Sequence, residues 1–99
     1  MKIHQLDDLQ RLGNLLVSVH RMRVVESLAK RAQMPGELAR TLGKSAAATV
    51  RQINLLEDTG LVTRADVPNS VGRATLASLN LEEIQRLVLE TQTWVEGLS

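Results

Sequence analysis

Between Met34 and Val62 the chain reads MPGELARTLGKSAAATVRQINLLEDTGLV, and this stretch constrains the rest of the fold. Leu38 and Leu42 sit four apart and make one apolar stripe. Gly43 suits the left-handed conformation that ends a helix, and Ser45 is a residue that caps the next one. From there Thr49, Ile53 and Leu56 repeat at four and three residues, so they share one face and are expected to point inward. Two short helices joined by so brief a turn must cross steeply.

A pair of this kind is a helix-turn-helix, in which the first helix braces the second and the second offers its N-terminal half to the major groove of DNA. The outward face of the second helix, over 45–59, carries Lys44, Ala47, Ala48, Arg51 and Asn54. Small side chains edged by a guanidinium and an amide approach a groove closely. A face that only meets water is usually richer in Glu and Lys.

The chain has 99 residues, 43% hydrophobic and 23% charged, which bounds it to one small domain, 1–99. A domain of this size buries a modest fraction of its surface, and oligomerisation is a common remedy. Trp94 is the one aromatic residue, so the core must be aliphatic and base stacking on aromatic platforms is not expected. The absence of cysteine removes disulfides, thiolate metal sites and thiol redox sensing, and fits a cytoplasmic location. No apolar run approaches the ~18 residues of a membrane span, and the N-terminal residues do not resemble a signal peptide. Residues 30–75 hold seven Lys or Arg against four acids, whereas 76–99 hold one Arg against four Glu. The basic part coincides with the helix-turn-helix and the segment directly after it, as a nucleic-acid footprint would.

Around that unit the spacing predicts further helices. Leu6, Leu9, Leu12, Leu15, Leu16 and Val17 follow helical spacing, with Asp7 and Asp8 suited to a first turn. Ser18 is placed to cap a second helix whose buried stripe would be Met22, Val25, Leu28, Ala29 and Ala32, with Arg21, Arg23, Lys30 and Arg31 solvated outside. Pro35 and Gly36 suit the entry to the third helix. After Gly60, Leu61–Val67 and Arg73–Leu79 read as two strands around Pro68–Gly72, a β-hairpin over 61–79. Directly after a recognition helix such a hairpin is a wing, carrying Arg73 towards the backbone or minor groove, with Arg64 as a further phosphate contact. Asn80 and Glu83 resemble a capping box opening a fifth helix to about Gly97.

In that last helix Leu81, Ile84, Val88, Thr91, Val95 and Leu98 are spaced three, four, three, four and three apart, a helix-helix seam widened by Leu87 and Trp94. The expected architecture is mainly α with a small β-hairpin wing (α+β). An N-terminal dimerisation helix over 1–17 contributes Leu9, Leu12 and Leu16, a winged-helix core spans 18–79, and a C-terminal dimerisation helix spans 80–99. The interface residues on the last helix would be Ile84, Leu87, Val88, Thr91, Trp94, Val95 and Leu98.

Across roughly residues 16 to 98 the chain resembles the winged-helix repressors of the ArsR/SmtB family, through HRMRVVESLAK, GELARTLGKS and, most specifically, QINLLEDTGLV. MarR-like regulators share much of the pattern. The resemblance implies a homodimer whose recognition helices enter successive major grooves of a near-palindromic operator in double-stranded DNA, usually as a repressor and often released by an effector. Carried over by position, it implies DNA contacts from Ser45, Ala46, Ala47, Ala48, Arg51 and Gln52, with Arg73 from the wing. The chain departs from the family in placing Lys44 where an apolar residue is usual and three alanines where polar groups are. Alanine still touches a thymine methyl, and Arg51 or Gln52 can pair bidentately with guanine or adenine, worth ~1–3 kcal/mol each.

No catalytic constellation is present, so no enzyme is expected, and no cofactor. The family's metal sensors need cysteines or His and carboxylate pairs. His20 has no second ligand one helical turn away, and His4 with Asp7 or Asp8 makes a single pair with no further ligand in sequence, so no metal is expected. Two other readings remain at this level: a winged-helix adaptor that binds protein, favoured by the alanine-rich helix, and an architectural DNA binder without sequence preference.

Overall fold

The computed structural model describes residues 3–68 and 74–99, with the side chains of Ile3 and His4 left aside. Arg73, and with it the expected wing-tip contact, lies outside the described residues, as does the His4 side chain. The elements run α1 (Ile3–Leu16), α2 (Val19–Lys30), α3 (Pro35–Leu42), α4 (Ala46–Asp58), β1 (Val62–Asp66), β2 (Thr75–Leu79) and α5 (Leu81–Glu96). The strands pair antiparallel with Val62 opposite Leu79 and Asp66 opposite Thr75.

Local chemistry sets these boundaries. Ser18 Oγ accepts from the Arg21 backbone N–H and starts α2, and Pro35 occupies the first turn of α3, where its missing donor costs nothing. Gly43, at φ 64°, ends α3 in the left-handed region, its own N–H donating to Arg40 O and that of Lys44 to Ala39 O. Asn80 accepts from the Glu83 N–H to open α5.

Leu38 and Ile53 are fully buried where α3 crosses α4, and Val24 and Leu28 of α2 close over them with Leu61 and Val62 beneath. Gln33 exchanges two backbone hydrogen bonds with Ala77, at 3.0 and 2.8 Å, which covers the free edge of β2 and pins the hairpin to the end of α2.

Four expectations need correction. The buried stripe of α2 is Val24, Ser27 and Leu28, not Met22 and Ala29, which are exposed. Ser27 is drawn inside because its hydroxyl and carbonyl both accept from Gln33 Nε2 at 2.9 Å. Asp7 and Asp8 lie beyond the first turn of α1. Glu83 completes no capping box: the Asn80 N–H donates to Leu61 O, and the Glu83 carboxylate turns to two arginines. Leu87 is wholly buried in the chain's own core and is not available to a partner.

The seam of α5 thus divides in two. Ile84, Leu87, Thr91 and Trp94 are buried or half-buried, with Ile84 on the core and Trp94 beside Gln5 of α1. Leu81, Val88, Val95 and Leu98 are exposed. On α1, Leu16 is exposed, Leu9 half-buried, and Leu12 packs on the core of its own chain.

Polar ties hold α1 to α5. Arg86 grips Asp8 with both Nη atoms at 2.9 Å and Glu83 at 2.7 Å, while Arg11 reaches Glu83 at 2.9 Å and the carbonyl of Thr59, at the end of α4, at 3.1 Å. The Arg86 hydrogen bonds, against a desolvation penalty, hold the carboxyls of Asp8 and Glu83 below their ordinary values of 3.8 and 4.5. A depressed acid contributes stability above its unfolded pKa and loses it as pH falls through the folded one. Thermal stability is therefore expected to decline as pH drops below about 4.5, and Asp8→Asn to flatten that decline while lowering stability at neutral pH. Melting curves of both proteins from pH 7 to pH 3 check this; parallel curves would remove Asp8 from the acid response.

Candidate nucleic-acid interface

The chemistry of the α3–α4 corner begins with its turn. Gly43 reverses the chain, Ser45 sits in extended conformation at φ −67°, ψ 151°, and its Oγ accepts from the Ala48 N–H at 3.1 Å. Thr49, Ile53 and Leu56 are buried, which fixes the opposite face outward. On that face Lys44, Ser45, Ala46, Ala47, Arg51 and Asn54 are exposed, while Ala48 and Gln52 are half-buried.

Lys44 and Arg51 make no ion pair with any described residue, and neither does Arg23 on the adjoining turn of α2. Two of these cations, Lys44 and Arg23, act together on one neighbour. Burial first, then Lys44 and Arg23, push the His20 imidazole below its ordinary value. No carboxylate occurs between Glu37 and Glu57, so the first three turns of α4 meet solvent with positive charge only.

The amides on this face are not free. Arg21 Nε donates to Gln52 Oε1 at 3.0 Å, and its Nη1 donates to the carbonyl of Asn14 near the end of α1. Arg21 is thus a structural tie from α1 to α4, not the solvated charge its sequence position suggests. Arg64, on β1, donates to Asn54 Oδ1 and stands 3.9 Å from Glu57, its side chain 22% exposed. The arginine expected to reach a phosphate is therefore folded against α4. Sequence spacing holds no trace of these ties, because the partners lie 31 and 10 residues apart on different elements.

Residues 16–65, half of the chain, match the model of a family described as "Helix-turn-helix domain". The chain belongs to this helix-turn-helix family. Its fold is that of ArsR-type winged-helix regulators. A crystal structure of a possible transcriptional regulatory protein from Mycobacterium bovis superposes at a TM-score of 0.71 with 21% identity, covering 97% of this chain and 99% of that one. The antimony-specific transcriptional repressor AntR gives 0.70 at 18% identity, over 97% and 85%. A mutant MarR from E. coli complexed with operator DNA gives 0.63 at 23%, over 90% of this chain and 64% of that one. No curated protein matches the chain in sequence.

In this helix-turn-helix protein no described helix is long and apolar enough to cross a membrane. Among the described residues no group of three or more His, Cys, Asp or Glu could hold a metal ion.

Proposed function

We propose that this chain is a sequence-specific DNA-binding transcriptional repressor, acting as a homodimer on a near-palindromic operator. The observation that carries the reading is the outward face of α4: a capped N-terminus, two short exposed alanines, and the cations Lys44 and Arg51, which make no ion pair with any described residue, with no carboxylate until Glu57. In this reading Ser45, Ala46, Ala47 and Arg51 meet base edges with Gln52 and Asn54 beside them, and Lys44 meets phosphate. The wing runs along the backbone or minor groove. Neighbours lend support: one is a MarR bound to operator DNA, one a repressor, and one a homodimeric DNA-binding domain from Mycobacterium bovis.

The test is affinity for the DNA upstream of the chain's own gene against scrambled DNA of equal length, at two salt concentrations. A specific regulator prefers its operator by ~10³ or more. Equal binding to both would mean an architectural role, and no binding would mean a protein partner. Arg51→Ala is expected to weaken operator binding about tenfold or more, with melting temperature little changed, since Arg51 is exposed and makes no ion pair with the described residues. Unchanged affinity would remove Arg51 from the interface.

The dimer would form on the outward stripe of α5, Leu81, Val88, Val95 and Leu98, continued by Leu16 of α1. Val88→Glu and Val95→Glu would each bury an unpaired charge there and are expected to yield monomers by analytical ultracentrifugation. If both keep the mass of the unaltered protein, the interface lies elsewhere.

A further inference from the structure

Two arginines join α4 to the helices on which the dimer is proposed to form. Arg21 donates from Nη1 to the carbonyl of Asn14, in the last turn of α1, and from Nε to Gln52 Oε1 of α4 at 3.0 Å. Arg11, on α1, donates from Nε to the carbonyl of Thr59 at 3.1 Å and from Nη1 to Glu83 of α5 at 2.9 Å. Each guanidinium thus sits against the carbonyl end of a helix, where the dipole favours a cation, and bridges to a second element. Beside these struts α1 and α4 do not close-pack: an open cavity of about 390 Å³ lies there, walled by Leu15, Val17, Leu55, Leu56 and Leu61. Its buried floor includes Leu15 and Leu56 of the core cluster.

Resting on the proposed function, we infer that Arg11 and Arg21 are positioning residues that fix the separation of the two recognition helices in the dimer, and with it the half-site spacing the protein accepts. A twofold dimer meets its half-sites about 34 Å, or one helical turn, apart. One base pair more or fewer at the operator centre moves the second half-site by about 3.4 Å and turns it by about 35° around the DNA axis. A dimer whose α4 is held rigidly against α1 and α5 then reaches one half-site only and loses the avidity of the second, about a hundredfold. Apolar contact at the cavity floor is non-directional, whereas the arginine hydrogen bonds hold a direction. Without them α4 rocks against the dimer helices and follows the displaced half-site. Arg11 reaches Thr59, at the C-terminal end of α4, so it acts on spacing from the end opposite the turns that meet the groove.

The operator upstream of the chain's own gene, and copies with one base pair added or removed at its centre, decide this with the intact protein, Arg11→Met and Arg21→Met. The intact protein is expected to lose about a hundredfold in affinity on either change of spacing. Both variants should lose less than about tenfold, while keeping the mass of the dimer and the half-site sequence that the intact protein prefers. Removing the Arg11 cation strands no carboxylate, because Asp8 and Glu83 keep Arg86. Val24→Ala is the control: Val24 is buried in α2 and belongs to neither strut, so its truncation lowers stability and should leave the spacing penalty at full size.

A spacing penalty as steep in both arginine variants as in the intact protein overturns the inference and leaves the repressor reading standing. So does an intact protein indifferent to spacing, or a penalty relieved equally by Val24→Ala, which would make the loosening a matter of stability alone. An intact protein that prefers no operator, or stays a monomer, overturns the repressor reading and the inference with it. If methionine at either position prevents folding, Arg11→Lys and Arg21→Lys take its place: an ammonium keeps the charge but does not reproduce the guanidinium fork that spans two partners, and the same relief of the penalty is expected.

Discussion

Leu87→Ala is expected to lower the unfolding free energy by about 2–5 kcal/mol, the range for a leucine deleted from a closed core. Leu87 is 0% exposed and lies in the cluster formed with Leu15, Leu56 and Leu61, so the lost side chain leaves a cavity between α5 and the body of the chain. For a domain of this length such a loss moves the melting temperature by about 10–20 °C. Trp94, the one aromatic residue, sits half-buried two turns further along the same helix and reports the transition by fluorescence. Val88→Ala makes the control, with both variants measured in the Val95→Glu background that opens the seam: Val88 is 40% exposed in the single chain, so its truncation should cost less than about 1 kcal/mol. Equal losses in the two variants would mean that α5 does not close the core through Leu87.

That pair of residues also marks where sequence ceases to inform. A repeat of threes and fours along α5 establishes an apolar stripe, but the period is the same whether the stripe meets its own chain or another. The structure splits it, with Leu87 inward and Val88 outward. The helix ends, by contrast, were legible because each depends on residues within one turn. Ser18, Gly43, Ser45 and Asn80 do what their residue types allow, and each forms hydrogen bonds to neighbours three or four positions away.

On α2 the apolar count misled. Met22 and Ala29 are exposed, while Ser27 is buried because Gln33 satisfies it. A stripe assigned by hydrophobicity alone has no means of weighing a hydrogen bond made six residues on. The candidate interface divides in the same way. Lys44, Ala47 and Arg51 could be placed outward from the periodicity of Thr49, Ile53 and Leu56. The hydrogen bonds from Arg21 to Gln52 and from Arg64 to Asn54 depend on tertiary approach and have no sequence signature.

Ala47→Glu is expected to separate folding from function. Ala47 is exposed in the first turn of α4, just after the Ser45 cap, where a carboxylate meets the positive end of the helix. The substitution should raise stability, by about 0.3–1 kcal/mol. The same carboxylate would stand where α4 meets the groove, replacing a methyl with a like charge facing the phosphates and drawing Lys44 and Arg51, three residues before and four after it, away from the DNA. Like-charge juxtaposition at an interface costs several kcal/mol, so operator affinity should fall about a hundredfold or more. Ala47→Lys is the converse: a small loss of stability, tighter binding to any DNA, and a salt dependence steeper by about 0.9 in log–log slope if the ammonium takes a new phosphate. Opposite signs on stability and affinity are what a docked helix N-terminus requires, since the dipole that welcomes a carboxylate in the free protein is turned towards phosphate in the complex. If Ala47→Glu binds DNA as tightly as the unaltered chain, α4 does not enter the groove by its first turns, and the alanine face belongs to a protein partner.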